Sequence, residues 1–483
     1  MGAPVNTKSG WYRWPAFAIV AAGVFMATLD SSMVNLALPS IMSEFGSPLK
    51  DTEWVVLVYL LTITSTLLLW GHLGDRISRR NIYPLGMLIF AGGSLACTWA
   101  PMLSFLVGAR LLQATGAAMM MAIGPAVVKD LFPPGQLGQG LGMISVSVSL
   151  GLMTGPVLSG LIMEFFSWRA IFFVTVPIGL LFAAMGRRLL PAGPQESCAP
   201  AIDWRPATAW TALLSFVSLA LSTTSSPDWS GKDLGVFATL AAGSLAAFTW
   251  LEARAAEPFL PVRLIRQRFF GSAIACSVLS FLCLATVMVL TPFYLDRILG
   301  LSKASIGAIM MTVPLSVLIA SPMVGYLTDF VGARILASLG IAGTVTGVFL
   351  LSGLGAATPP RAVVLRLLVL GLGQAFFLAP NSASVLSRVG QADSGKSAAL
   401  LATARNLGML LGISLAGLVF AQRFGLLTGG HDLRDFMRGV HDDAFLAALR
   451  AAFRAAATAG AVALAISWRR GGKALRPEAS RAG

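Results

Sequence analysis

Long uncharged apolar runs recur along the whole of this chain, and no other feature constrains its fold as tightly. Fourteen of them, centred on residues 27, 63, 91, 115, 150, 178, 215, 243, 281, 314, 343, 373, 409 and 458, approach the roughly 20 apolar residues that a spanning helix needs. In hydrocarbon every backbone N–H and C=O must be satisfied within the segment, so such runs predict α-helices. The seventh and eighth are more polar and Ala-rich, and the fourteenth carries Arg450 and Arg454 near its start. The first, from about Pro15 to Leu38, follows Lys8 and Arg13 as a secretory signal would. It is longer than the 7 to 15 residues of a signal's apolar core, and it reads as a retained helix.

Of the 483 residues 56% are hydrophobic and 12% charged, against about 25% charged in soluble domains, so a polytopic all-α membrane protein is expected. The net charge of +14 does not mark a nucleic-acid binder, because the basic residues sit in short clusters between apolar runs. The expected surroundings are a lipid bilayer. Arg76, Arg79, Arg80, Arg187, Arg188, Arg263, Arg266, Arg268, Arg469, Arg470 and Lys473 all fall on the side of the N-terminus. The positive-inside rule makes that side cytoplasmic, with both termini there and the chain in the cell membrane. Cys97, Cys198, Cys276 and Cys283 are scattered and only three histidines are present, which argues against a disulfide framework or a metal site. No GxxxxGK[ST] loop, nucleophile elbow or metal-spaced carboxylate pair appears, so neither an enzyme, an ATP-driven pump nor a bound cofactor is expected.

The chain repeats itself. Gly71, Leu73, Asp75 and Arg80 match Gly325, Leu327, Asp329 and Arg334; Pro39 matches Pro292; Arg110 matches Arg366; Pro125 matches Pro380; and Gly151, Gly155 and Gly160 match Gly408, Gly412 and Gly417. The offsets run only from 253 to 257 residues, which implies two homologous bundles in one orientation. Six helices per bundle leave two over, so residues 1–190 and 269–483 are read as the bundles and 191–268 as a two-helix insertion. Parallel six-helix repeats about the membrane normal are a transporter plan, with a cavity between the bundles.

Six stretches carry a family resemblance: LDSSMVNLALPSI (29–41), EWVVLVYLL (53–61), GHLGDRISRR (71–80), ARLLQATGAA (109–118), GLMTGPVLSG (151–160) and SWRAIFFVTVPIG (167–179). The chain resembles the major facilitator superfamily over most of its length, and within it the fourteen-helix drug:proton antiporters. That resemblance implies a monomer that exports lipophilic, cationic or amphipathic small molecules in exchange for protons, by alternating access. A facilitator or proton symporter of a small metabolite, and an exporter of an endogenous lipid or metabolite, are the alternatives.

Asp30 stands in the first apolar run with no compensating charge within a helical turn, and an intramembrane carboxylate by default marks a pathway or proton site. The other reading is an interhelical hydrogen-bond anchor. Arg110 is its natural partner, since a buried arginine needs a counter-charge or several acceptors. The resemblance implies proton transfer there, whereas Gln113, on the same face, suits a static clamp instead. Arg366 and Arg405 are read as structural.

In the 71–80 stretch, Gly71 and Gly74 permit close helix contact. Asp75, Arg76, Arg79 and Arg80, with Asp329 and Arg334 in the second copy, resemble a cytoplasmic gating latch, although the arginines alone also suit a topology anchor. Ser78 stands where the family has glycine; the second copy keeps Gly332. Gly151, Gly155, Pro156 and Gly160 resemble the antiporter motif, with Ser159 replacing a usual glycine. Asn35, Gln113, Met120, Phe281 and Phe377 are candidates for the substrate cavity, the methionine and the rings because thioether and ring surfaces adapt to varied shapes. Packing is the alternative for the Met119–Met121 run and for Phe25, Phe281, Phe376 and Phe377.

Overall fold

The computed structural model describes residues 13–76, 78–132, 137–191, 204–223, 231–254, 266–386, 394–429 and 442–469. Among them the chain is helical throughout: α1 Arg13–Phe45, α2 Trp54–Arg76, α3 Arg79–Thr98, α4 Leu103–Leu131, α5 Leu137–Phe165, α6 Ala170–Phe173 with Thr175–Leu189, and α7 Trp204–Thr223. It continues with α8 Gly231–Arg254, α9 Arg268–Arg297, α10 Lys303–Met310 with Thr312–Val331, α11 Ala333–Leu351, α12 Pro360–Leu386, α13 Ser394–Thr428 and α14 Asp442–Trp468. Each sequence-predicted centre falls inside one of these helices. By length and apolarity, however, twelve of them qualify as membrane spans among the described residues. The apolar part of α2 is the shorter Trp54–Leu67, and α7 is not among the twelve.

Proline shapes several helices. Pro39, Pro84, Pro125, Pro156, Pro292, Pro322 and Pro380 lie inside them. The first segment of α6 ends at Phe173 and that of α10 at Met310, each four residues before a proline, Pro177 and Pro314. A proline has no N–H to offer the carbonyl four residues earlier, so the ladder breaks at that point.

The packing repeats as the sequence does. In the first half α1 lies on α5 and α6, α4 on α2 and α3, and α3 on α6; in the second half α9 lies on α13 and α14, α12 on α10 and α11, and α11 on α14. Between the halves α5 meets α10 and α13 meets α2, while α7 and α8 pack on each other and α7 leans on α2 and α13. Glycines set the closest approaches. A Cβ on Gly86 would lie 2.9 Å from Met119 Cβ, and one on Gly116 2.4 Å from Phe90 N. In the second half a Cβ on Gly340 would lie 2.3 Å from Phe377 N, and one on Gly373 2.3 Å from Thr344 N. Small residues let helix backbones touch where lipid supplies no hydrophobic drive for association.

Candidate functional site

Asp30 and Arg110 meet in the core of the first half. α1 carries Asp30 at 2% exposure and α4 carries Arg110 at 0%, and Arg110 Nη1 donates to Asp30 Oδ2. The sequence shows no compensating charge near Asp30; the fold supplies one from another helix, 80 residues on. Gln113 Nε2 donates to Asp30 Oδ1 at 2.8 Å and to Ser94 Oγ at 2.7 Å, while its Oε1 accepts from Arg110 Nη1 at 2.5 Å. Thr175 Oγ1 of α6 donates to Ser94 Oγ at 3.1 Å. Arg110 Nε donates to the Val55 carbonyl at 3.0 Å, and the guanidinium lies 4.1 Å over the Tyr59 ring, whose hydroxyl donates to Ala27 O at 2.9 Å. Five helices of one half therefore converge on a single carboxylate. Arg110 Nη2 is buried with no hydrogen-bond partner among the described residues.

The pair adjoins the contact between α1 and α5. A Cβ on Gly151 would lie 2.9 Å from Phe25 O, and one on Gly155 3.1 Å from Leu29 O, so the glycine run of α5 rides on the backbone beside Asp30. Ser159, in place of a family glycine, uses its hydroxyl to donate to Met33 O at 3.1 Å. Gly408 and Gly412 repeat the arrangement on α9, where an added Cβ would lie 2.3 Å from Val278 O and 2.5 Å from Leu282 O. The third glycine of each run faces the other half: a Cβ on Gly160 would lie 2.6 Å from Lys303 O, and one on Gly417 2.1 Å from Glu53 Oε2. Pro156 O lies 2.3 Å from where a Cβ of Gly307 would stand. Glu164 Oε2 accepts from Ala304 N at 3.3 Å on the same seam.

At the arginine-rich end the motif ties helices within each half. Arg79 Nη1 donates to Ala126 O at 2.8 Å and to Asp130 Oδ2 at 2.6 Å, holding α3 to the end of α4. Arg80 Nε donates to the Arg187 carbonyl at the end of α6, and its repeat counterpart Arg334 donates through Nη2 to the Trp468 carbonyl at the end of α14. Gly74 abuts Ile123 of α4, with 2.9 Å to a Cβ, whereas Gly71 faces open space. The turn itself differs between copies: Ser78 has φ −53°, Gly332 φ +92°. The side chains of Asp75, Arg76 and Asp329 lie outside the described residues.

Of the cavity candidates, Gln113 belongs to the Asp30 network, and Met120 and Phe377 are fully buried in the packing of their own halves. Phe281 is 9% exposed, with its Cβ 3.0 Å from where one on Gly408 would stand, and Asn35 is half-buried, with Oδ1 unpartnered. Ser94, Thr175 and Tyr59 were not foreseen, because neutral polar residues in a helix carry no sequence signal of a partner. At the end of α1 away from the arginines, a cavity is lined by Glu44, Trp168, Asp296 and Lys303 among others. Its carboxylates are already engaged, Glu44 by Arg169 and Asp296 by Lys303. Among the described residues no cluster of His, Cys, Asp or Glu could hold a metal.

Known proteins agree with this architecture. The family model described as "Major Facilitator Superfamily" matches residues 20–285 and 273–482. The riboflavin transporter RibZ of Clostridioides difficile (strain 630) is 31% identical over 410 residues, covering 85% of this chain and 89% of that protein. The tetracenomycin C resistance and export protein of Streptomyces glaucescens is 28% identical over 416 residues, covering 85% and 77%. A bacterial homolog of the human lysosomal transporter Spinster, solved in an inward-facing and unoccupied conformation, superposes with a TM-score of 0.65 at 14% identity over 95% of this chain and 97% of that one. The chain belongs to the major facilitator superfamily and is a multi-pass membrane transporter, not an enzyme.

Proposed function

We propose that this transporter is a proton-coupled antiporter that exports lipophilic or amphipathic compounds by alternating access. In this reading residues 1–190 and 269–483 are the two moving bundles, 191–268 is an insertion, and the protein acts as a monomer. The arginine-rich end is cytoplasmic, following the positive-inside rule. The observation that carries the reading is the walled-off Asp30/Arg110 pair beside the α1/α5 contact. A proton on Asp30 neutralises the charge paired with Arg110 and relaxes the hold of α4 on α1. Because α5 rides on α1 through Gly151 and Gly155 and forms a seam with α10 through Gly160, the protonation state of one carboxylate reaches the contact between halves. Asp30 is engaged by Arg110 and Gln113, which suits it to carry the proton rather than the charge of a substrate.

The test is transport in reconstituted vesicles with the interior acidified, using a panel of a lipophilic cation, a neutral amphipath and a flavin. Uptake of at least one compound should follow the acid-inside gradient and vanish in Asp30→Asn. A second reading, a facilitator or symporter of a small metabolite, draws on the 31% identity to a riboflavin transporter. Flavin uptake that ignores the gradient, or that needs the opposite one, would replace the first reading with the second.

A further inference from the structure

The two seams between the halves are counterparts under the internal repeat, and they differ at one position. At the first, Gly160 of α5 and Gly307 of α10 bring two backbones together: a Cβ on Gly160 would lie 3.3 Å from Gly307 Cα. At the second, Gly417 of α13 is the counterpart of Gly160, and the position 254 residues before Gly307 is Glu53, between a one-turn helix at Leu49–Thr52 and the start of α2. A Cβ on Gly417 would stand 2.1 Å from Glu53 Oε2 and 2.7 Å from Oε1. A carboxyl group thus fills the space that glycine leaves to backbone at the sister seam.

Among the described residues this carboxyl is buried with no cation beside it. Glu53 is 3% exposed and its Oε1 has no hydrogen-bond partner. One turn before Gly417, Ser414 Oγ is buried and unpartnered as well. The charged side chains on the neighbouring elements are engaged or remote. Asp51 of the one-turn helix is exposed, Glu44 of α1 pairs with Arg169, and Asp30 of α1 pairs with Arg110 of α4. On α13, Arg423 is exposed and Arg405 lies twelve residues from Gly417 toward the arginine-rich end; the side chain of Lys50 lies outside the described residues. A carboxylate removed from water with no cation beside it takes a proton instead of keeping its charge. Burial holds the Glu53 carboxyl well above the usual carboxylate range.

We propose that Glu53 is a second proton-binding site, separate from Asp30, which takes up one proton as its seam closes and releases it as the seam opens. Under the orientation adopted above, the seam lies at the external end, so the proton is exchanged with the external solution. One proton adds to a carboxylate oxygen, the charge goes from −1 to 0, and no other group changes. The sign follows from linkage. In the open seam Glu53 is hydrated, and water favours its charged form. In the closed seam its affinity for the proton is higher. The closed-to-open ratio is therefore greatest at low pH and falls by up to about tenfold per pH unit as external pH rises, levelling off once the closed state also ionises. External acid shuts the external gate.

The test uses the full chain in lipid nanodiscs, with Cys198→Ser and spin labels at Met102→Cys and Ala357→Cys, which are exposed near the external ends of the two halves. Distances are measured by double electron–electron resonance between pH 5 and 8. To leave Glu53 as the titrating group in question, the series is run in the Asp30→Asn background. The expected result is a closed population that rises as pH falls, and the loss of that slope when Glu53→Gln is added. A slope unchanged by Glu53→Gln, or no slope in Asp30→Asn, overturns the proposal. The Asp30 reading fails or survives in the vesicle assay, not in these distances.

Discussion

Arg110 of α4 and Asp30 of α1 form an ion pair with side chains 0% and 2% exposed, and Gln113 bonds both partners. Removing one member of a buried pair leaves an unpaired charge and costs about 3–5 kcal/mol, whereas replacing both is far milder. Arg110→Met should therefore lower thermal stability in detergent sharply, and Asp30→Asn with Arg110→Met should recover most of it. Neither variant should transport. A stable double variant with gradient-driven uptake would remove both residues from the coupling machinery.

The second prediction concerns the repeated tether at the arginine-rich end. Arg80 reaches the end of α6 and Arg334 the end of α14, each the last helix of its half. Both arginines lie toward solvent, so each bond is worth about 1 kcal/mol or less. Arg80→Ala and Arg334→Ala should leave the unfolding temperature almost unchanged but raise amide exchange in the last turn of α6 or α14 respectively. Equal protection in wild type and variant would mean that the bond holds nothing in place.

A third prediction separates the two seams. Gly307 meets Pro156 O at 2.3 Å from an added Cβ, and a carbonyl in a helix cannot step aside as a side chain can. Overpacking of this kind costs about 1–3 kcal/mol. Gly307→Ala should destabilise the closed seam and increase labelling of a cysteine placed at Ser305, which is exposed beside it in α10. Unaltered labelling would show that the seam opens and closes without this contact.

How much of this was legible depends on what each residue's signal consists of. The helices were, because apolar runs of spanning length have one solution in lipid, and the doubling was, because the landmarks keep nearly one offset. Asp30 and Arg110 were legible as partners since each is costly alone. The hydroxyls of Ser94 and Thr175 that complete the site were not, because neutral side chains impose no such debt. Met120 and Phe377 were open to two readings, cavity wall or packing, and both side chains are buried. Glu53 was hidden by its position: an acid at a helix start is ordinary, and only the offset to Gly307 marks it. The latch residues Asp75, Arg76 and Asp329 stay a matter of resemblance, as their side chains lie outside the described residues.

Adjacent glycines in α3 give the last prediction, because one faces a neighbouring helix and the other open space. A Cβ on Gly93 would lie 2.5 Å from Gln113 N and 2.6 Å from its Cα, whereas one on Gly92 would meet nothing within 4 Å. Gly92→Ala adds a methyl in open space and removes the conformational freedom of glycine from a helix, so it should be neutral or stabilise by up to about 1 kcal/mol. Gly93→Ala has to push α3 and α4 apart against backbone, at a cost of about 1–3 kcal/mol. The displaced helix carries Gln113 and Arg110, so transport should fall in Gly93→Ala by more than its stability loss explains, and not in Gly92→Ala. Thermal unfolding in detergent alongside vesicle transport reads both quantities. Matching losses in the two variants would mean that the α3/α4 contact does not set the geometry of the Asp30 site.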